Sequence, residues 1–287
     1  MSNISRRHIL SALGGMALAG TMRQVHSASP TQVRVGFTPA FVLNQYALLA
    51  DFREYMEQRL GLSVEFVQRD SYRETMDLVR LKQIDFAWVC DYPYLYLKNM
   101  VRLLAVPLYK GQPYYRSFII VASGNTAVQS LKDLKNTVFA YADPLSNSGY
   151  FVPRFRLHQL GEDPRTFFHK TFFTWSHKNV IEAVALGMAQ GGAVDSFVWE
   201  TLNQIEPKLT RATRIIERSP EFGFPPFVAH YQVSPELFSR VQSFLLGMPL
   251  HPQGASLVKR LNLDGFIKGD VRLYDSLINM MREFGEG

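Results

Sequence analysis

The chain has 287 residues, 47% of them hydrophobic and 20% charged, which is ordinary for a globular protein with one large or two medium-sized domains. The formal net charge is +6, but the charges are interspersed and form no basic tract of the kind that binds nucleic acid. The single cysteine, Cys90, excludes an intramolecular disulfide framework and a cysteine-rich zinc site. We therefore expect no nucleic-acid partner, no metal and no cofactor.

Residues 1–29 have the pattern of an export signal. Arg6 and Arg7 precede an apolar run at 9–19, and small residues follow as far as Pro30. The run is shorter than the roughly 18 apolar residues that a transmembrane helix needs. The paired arginines resemble a twin-arginine signal, and an ordinary secretory signal with adjacent arginines is the alternative. In either case we expect the signal to be removed on export and the mature protein to lie in the periplasm.

Strands and helices alternate from residue 32 onward. Apolar residues alternate with polar ones at 32–38, whereas at 44–60 they recur at helical spacing. The same two patterns predict further strands at 63–67, 84–89 and 102–106 and further helices at 71–81 and 93–99. Such alternation is typical of a parallel sheet covered by helices on both faces.

The middle of the chain predicts a second α/β unit. The long apolar segment 114–121 is expected to carry the chain out of the first sheet. Beyond it, the pattern indicates strands at 137–142, 167–174 and 213–217, helices at 128–133 and 178–189, and a glycine turn with a short strand at 191–197.

The chain then returns to the first unit. The proline-led apolar segment 225–232 is interpreted as the return connection, and Ser234 with Pro235 marks the start of a C-terminal helical region. We therefore predict an α/β fold of two lobes joined by two crossing hinge strands. The predicted limits are 30–121 plus 225–287 for lobe 1 and 122–224 for lobe 2. A cleft between two such lobes is a favoured ligand site.

One polar turn, at 143–150, stands between a predicted strand and a predicted helix. Backbone N–H groups at a helix start are unpaired and carry partial positive charge, so an anion can bind there without a lysine. Ser146, Asn147 and Ser148 would add side-chain donors, and Gly149 would let the backbone come close to a ligand. An ordinary helix-capping turn is the alternative, because Ser and Asn are favoured at that position anyway.

Four motifs stand out along the chain: VRVGFTP at 33–39, IDFAW at 84–88, DPLSNSGY at 143–150 and GAVDS at 192–196. Their order and spacing resemble those of the periplasmic phosphate/phosphite/phosphonate-binding proteins of ABC transporters. The resemblance implies a type II periplasmic-binding clamshell that closes on a small oxyanion or phosphonate-type ligand and is not an enzyme.

The resemblance also implies which residues contact the ligand. They are Phe41, Gln45, Cys90 and Tyr92 of lobe 1, and Ser146, Asn147, Ser148, Gly149, Tyr150, His177 and Asp195 of lobe 2. Asp195 would accept a proton from a partly protonated oxyanion and would repel a fully ionised one. For His177, capping of the helix that follows is an alternative that the pattern leaves open.

A related branch of the family, the arsenite-binding sensor proteins, carries a cysteine in the cleft. Cys90 follows a predicted parallel strand, at the end where open α/β sheets bind ligands, and a thiolate there would favour a soft ligand. The alternative is a buried apolar cysteine, and the neighbouring Asp91 would raise its pKa. A cysteine hydrolase that pairs Cys90 with His177 lacks a local signature here.

The sequence favours a monomeric periplasmic solute-binding protein that delivers its ligand to an ABC permease in the inner membrane. The first alternative is a sensor-type binding protein that uses Cys90 to bind arsenite or another thiophilic oxyanion and reports to a sensor kinase. The second is an enzyme of the pyrimidine-precursor synthase type, a family that shares the clamshell but lacks an export signal.

Overall fold

The computed structural model describes residues 32–39 and 46–286. The strands are β1 (Gln32–Phe37), β2 (Ser63–Gln68), β3 (Phe86–Trp88), β4 (Val101–Leu108), β5 (Tyr114–Tyr115), β6 (Ser117–Ala122), β7 (Val138–Tyr141), β8 (Lys170–Phe173), β9 (Gly191–Asp195), β10 (Thr213–Arg218), β11 (Phe222–Gly223), β12 (Phe227–His230) and β13 (Gly265–Lys268). The α-helices are α1 (Tyr46–Leu60), α2 (Tyr72–Arg80), α3 (Asp91–Leu97), α4 (Val152–Gln159), α5 (His177–Ala185), α6 (Ser196–Ile205), α7 (Pro207–Arg211), α8 (Pro235–Gly247), α9 (Pro252–Arg260) and α10 (Asp275–Phe284). The predicted export signal at 1–29 and two predicted ligand residues, Phe41 and Gln45, lie outside the described residues.

The first strands and helices follow the sequence pattern closely. In β1, Val33, Val35 and Phe37 are buried, whereas Gln32 and Arg34 are exposed, so one face of the strand packs on the core. The next elements, α1, β2 and α2, occur where the pattern predicts them. None of the helices in the described part of the chain is long and apolar enough to cross a membrane.

The larger sheet has six strands in the order β13-β4-β12-β3-β1-β2. β1 is parallel to both of its neighbours, but β12 lies antiparallel between β3 and β4, and β13 is antiparallel to β4. The prediction of a parallel sheet is therefore wrong, because the sheet is mixed. The segment interpreted as a return connection forms a central strand, and all 4 residues of β12 are buried there.

The smaller sheet has five strands in the order β10-β6-β9-β7-β8. Gly191 and Gly192, predicted as a turn, lie inside β9 instead. A Cβ on Gly191 would stand 2.5 Å from Leu134 Cδ1, and one on Gly192 would stand 2.5 Å from Val180 Cγ1. These glycines therefore allow close packing rather than a chain reversal, and the predicted turn is wrong.

Two antiparallel segments run between the sheets. β5 pairs with β11, with Tyr115 opposite Phe222, as a separate two-stranded ribbon. After β5 the chain enters β6 of the smaller sheet, and after β11 it enters β12 of the larger one. The predicted α/β architecture with two crossing strands is thus observed. The exact residue limits of the lobes stay a prediction, and β6 lies in the smaller sheet although the predicted limit of lobe 1 is residue 121.

Candidate functional site

Polar side chains that follow β3 and β7 meet between the two sheets. Asp91 is the first residue of α3, directly after β3, and Asn147 lies in the polar turn after β7. Asn147 Nδ2 donates to Asp91 Oδ2 at 2.7 Å and to Tyr115 Oη at 3.1 Å. The Tyr115 hydroxyl donates to Asp91 Oδ1 at 2.7 Å, and all three side chains are buried. This network joins a loop of each sheet to one of the two crossing strands.

The polar turn has the helix-start geometry expected from its sequence. Ser146 caps a π-helical turn at Asn147–Phe151, and its Oγ accepts the Gly149 N–H at 3.0 Å. A Cβ on Gly149 would stand 2.5 Å from Ala142 Cβ and 2.9 Å from His177 Cε1. Glycine is therefore required here because the turn packs against the residue that follows β7 and against the start of α5.

Two side-chain atoms of the turn are buried without a hydrogen-bond partner among the described residues: Asn147 Oδ1 and Ser148 Oγ. We call them the open atoms. Asn147 and Ser148 are both 0% exposed. A buried polar atom without a partner costs about 1–3 kcal/mol, so native proteins rarely leave two side by side. The open atoms therefore remain available to hydrogen bond with a ligand.

His177 is a neutral imidazole at the start of α5. Its Nδ1 accepts the backbone N–H of Asp195 at 3.1 Å, which leaves the ring hydrogen on Nε2. Nε2 lies 3.3 Å from Tyr72 Oη and 3.4 Å from Ser146 Oγ. Burial lowers the pKa of His177 to about 3, so the ring stays uncharged at neutral pH. His177 thus places an N–H donor beside two hydroxyls of the site.

Asp195 stands at the end of β9 and caps α6. Its Oδ1 accepts the N–H groups of Phe197 at 2.7 Å and Val198 at 3.3 Å, while its Oδ2 forms no hydrogen bond with any residue that the structure describes. Burial raises the pKa of Asp195 to about 8. A carboxyl group with that pKa holds a proton for much of the time at neutral pH, so it can donate to an oxyanion instead of repelling it.

Cys90 and Asp91 form a hydrogen-bonded pair after β3. The Cys90 thiol donates to Asp91 Oδ1 at 3.0 Å, and the Tyr92 N–H donates to the same oxygen at 3.0 Å. Burial raises the pKa of Asp91 to about 6. Burial, and then the charge of Asp91, raise the pKa of the Cys90 thiol well above its ordinary value. Cys90 is therefore a protonated, buried thiol, which is the opposite of what a thiophilic ligand needs.

Two of the predicted ligand residues have other contacts. Tyr92 donates its hydroxyl to Glu286, and its ring stacks on Phe151 with centroids 5.1 Å apart. The ring of Tyr150 packs edge-on against Tyr141 and Phe173, with the Arg154 guanidinium 4.5 Å from its centroid. A role of Tyr92 or Tyr150 in ligand binding stays a prediction.

The structure adds residues that the sequence pattern did not single out. Tyr72 lies on the buried face of α2 and Tyr115 lies in a crossing strand, so both have the pattern of core residues. Asp143 Oδ2 accepts the Tyr72 N–H at 3.1 Å, which ties the start of α2 to the loop after β7. Of these residues, only Asp91 could have been found from the sequence, because it lies next to Cys90 at the end of a predicted strand.

The side chains of the site that the structure describes offer mainly neutral hydrogen-bond donors. Among the described residues, no lysine or arginine hydrogen bonds with Asp91, Asp195 or Asn147. In the same part of the chain, no group of three His, Cys, Asp or Glu residues could hold a metal ion. An anion would therefore be held by hydroxyls, an imidazole N–H and the helix start.

Comparisons with known proteins identify the family. Residues 35–274 match the family model described as ABC transporter, phosphonate, periplasmic substrate-binding protein. A probable ABC transporter phosphite-binding protein, PhnD1 of Prochlorococcus marinus, is 22% identical over 247 residues, which cover 82% of this chain and 83% of that protein. The phosphonates-binding periplasmic protein of Escherichia coli is 23% identical over 225 residues, which cover 73% of this chain and 64% of that protein.

Solved structures show the same fold. A binding-protein component of an ABC phosphonate transporter from Pseudomonas aeruginosa superposes with a TM-score of 0.82 at 21% identity, covering 88% of this chain and 86% of that one. PhnD1 of Prochlorococcus marinus in complex with methylphosphonate gives a TM-score of 0.79 at 21% identity, covering 90% and 100%. These neighbours confirm the predicted two-lobed type II fold. Because the family match spans most of the sequence, the chain belongs to the periplasmic substrate-binding proteins of ABC phosphonate transporters.

Proposed function

We propose that this chain binds a small phosphonate- or phosphite-type oxyanion between its lobes and delivers it to an ABC permease of the inner membrane. The observation that carries the proposal is the pair of open atoms, Asn147 Oδ1 and Ser148 Oγ, buried at the start of a helix. The methylphosphonate complex of the relative PhnD1 supports the ligand class.

The contacts of the site support a role for each group. The hydroxyls of Ser146 and Ser148 would donate to the anionic oxygens at the start of the helix. The Nε2–H of His177 would hold the hydroxyls of Tyr72 and Ser146 in place, since it lies within 3.4 Å of both. Protonated Asp195 would donate to the ligand from the end of β9. Binding and release then require no covalent step.

Lobe closure would follow from contacts that join the two sheets. Asp143 reaches the start of α2, and Glu200 of α6 accepts from Tyr109 and from Lys110 at 2.7 Å. A ligand that bridges the lobes would shift the population toward the closed form that the permease recognises.

Several further features belong to this proposal. We propose that residues 1–29 direct export, that the mature chain acts as a monomer and that it binds no nucleic acid. The alternative function, a sensor that binds a thiophilic ligand through Cys90 and signals to a kinase, is disfavoured. The Cys90 thiol is 1% exposed and donates its hydrogen to Asp91, so it is not available to such a ligand.

Isothermal titration calorimetry with methylphosphonate, phosphite and phosphate tests the proposal. We expect at least one of them to bind, and Ser148→Ala to weaken its binding about tenfold to a hundredfold, because a hydrogen bond to a charged group is lost. The matched control is Ser243→Ala, the same change at an exposed position of α8, which should leave the affinity unchanged. Absence of binding for all three anions would contradict the proposal.

A further inference from the structure

Asp91 holds the side-chain amide of Asn147 in one orientation. Asn147 Nδ2 donates to Asp91 Oδ2 at 2.7 Å and to Tyr115 Oη at 3.1 Å. The Tyr115 hydroxyl hydrogen is used on Asp91 Oδ1, so the Tyr115 oxygen is free to accept. Turning the amide over would set Asn147 Oδ1 against a carboxylate oxygen, two acceptors with no hydrogen between them.

This orientation presents an acceptor to the ligand. An amide oxygen can only accept hydrogen bonds, and Asn147 Oδ1 is one of the open atoms. A ligand oxygen that carries no hydrogen would point a lone pair at Oδ1 and leave it unsatisfied. A ligand with a P–OH group can donate to Oδ1 while its charged oxygens face the donors of the turn.

The other polar groups of the site do not make this distinction. The hydroxyls of Ser146 and Ser148 can both donate and accept, and His177 Nε2–H donates to any oxygen. Protonated Asp195 also donates to any oxyanion. The fixed acceptor on Asn147 is therefore the group that separates protonated from unprotonated oxyanions.

We infer, on the basis of the function proposed above, that the site selects oxyanions that retain one proton, and that Asp91 is the positioning residue that sets this preference through Asn147. The ligand class is thus a monoprotonated phosphonate, phosphite or phosphate. Sulfonates are rejected, because a sulfonate has a similar shape and the same single charge but carries no proton at neutral pH.

Methylphosphonate and methanesulfonate are the matched probes, since each has one methyl group and three oxygens. Calorimetric titration of the full protein at neutral pH should give an affinity for methylphosphonate about tenfold to a hundredfold higher than for methanesulfonate. The phosphite monoanion also carries one proton on oxygen, so phosphite should likewise bind more tightly than methanesulfonate.

Asp91→Asn should remove this preference. Asp91 Oδ1 accepts from Cys90, the Tyr92 N–H and Tyr115, so an amide oxygen would take its place and an NH2 group would replace Oδ2. Asn147 must then turn its Oδ1 toward that NH2 group and present its own Nδ2 to the ligand. The ratio of the two affinities should fall to within about threefold of one.

A second test variant and a matched control show whether a changed ratio reflects the Asn147 acceptor or a general disturbance of the fold. Asn147→Ser replaces the fixed acceptor by a hydroxyl and should likewise bring the ratio toward one. Asp143→Asn is the matched control: it is the same isosteric change at a buried carboxylate that accepts from Tyr72 and Leu145 and that, among the described residues, forms no hydrogen bond with Asn147. It should change both affinities by the same factor.

The outcomes separate the inference from the function on which it rests. Equal binding of methylphosphonate and methanesulfonate by the parent protein overturns the inference and leaves an oxyanion-binding function in place. A parent-like ratio in a folded Asp91→Asn protein overturns the role of Asp91. Binding of neither probe, and of neither phosphite nor phosphate, overturns the proposed function and the inference together.

Discussion

Replacing Asp195 by asparagine tests whether the site contains a protonated carboxyl group. Burial raises the pKa of Asp195 from its ordinary 3.8 to about 8. Its Oδ1 caps α6 by accepting from Phe197 and Val198, and the oxygen of an asparagine can accept the same two bonds. The substitution therefore removes the titration of this group and keeps its shape and its cap.

The sign of the pH effect follows from the raised pKa. The folded protein retains a proton that the unfolded chain releases above its ordinary pKa of 3.8. The stability contributed by this proton is complete below about pH 4 and is lost as the pH rises toward about 8. Between about pH 5 and about pH 8 the free energy of unfolding can fall by at most about 4 kcal/mol through this group. Lobe opening would let the carboxylate reach water at a cost of a few kcal/mol, so we expect a loss of about 1–3 kcal/mol.

Urea unfolding of both proteins without ligand, at about pH 5 and about pH 8, measures this loss. His177 acts in the opposite direction, because burial lowers its pKa to about 3 and its contribution is lost as the pH falls below its ordinary 6.5. The informative quantity is therefore the difference between the two proteins. The free energy of unfolding of the parent should fall by about 1–3 kcal/mol more than that of Asp195→Asn. An identical pH dependence in both proteins would refute the reasoning.

Two further substitutions test the packing and the thiol. Gly149→Ala should lower the free energy of unfolding by about 1–3 kcal/mol, because its Cβ would stand 2.5 Å from Ala142 Cβ. Gly124→Ala is the matched control, since nothing lies within 4 Å of a Cβ there; an equal effect of both changes on the melting temperature would contradict the packing argument. Cys90→Ser should change the affinity for methylphosphonate by less than about threefold, because a serine hydroxyl can also donate to Asp91. Abolished binding in a folded Cys90→Ser protein would restore the thiol as a ligand group.

Local sequence patterns correctly predict a strand or helix where that element packs against elements close to it in the sequence. The alternation in β1 and the helical spacing of apolar residues in α1 are visible in the sequence, and both elements are present in the structure. The insertion of β12 between β3 and β4 could not be predicted in this way, because the segment arrives from the other lobe and its apolar pattern does not specify its direction. The glycines of β9 gave a turn signal, although tight packing against Val180 is what requires one of them.

The candidate site also has one part that the sequence predicts and another part that only the folded chain shows. The turn at Ser146–Ser148 could be predicted, because hydroxyl and amide residues between a strand and a helix have a local explanation. The bond between Asp91 and Asn147 joins residues that are 56 positions apart and depends on how the two sheets approach each other. Tyr72 has the sequence pattern of a core residue, and only the folded chain places its hydroxyl beside His177.

A crystal structure of the protein with methylphosphonate tests the central claim most directly. We predict that the ligand lies between the two sheets, with one oxygen within hydrogen-bond distance of Ser148 Oγ and a second at Asn147 Oδ1, and with Asp195 also within hydrogen-bond distance of the ligand. Methylphosphonate bound elsewhere, or bound here without contacting either open atom, would contradict the account.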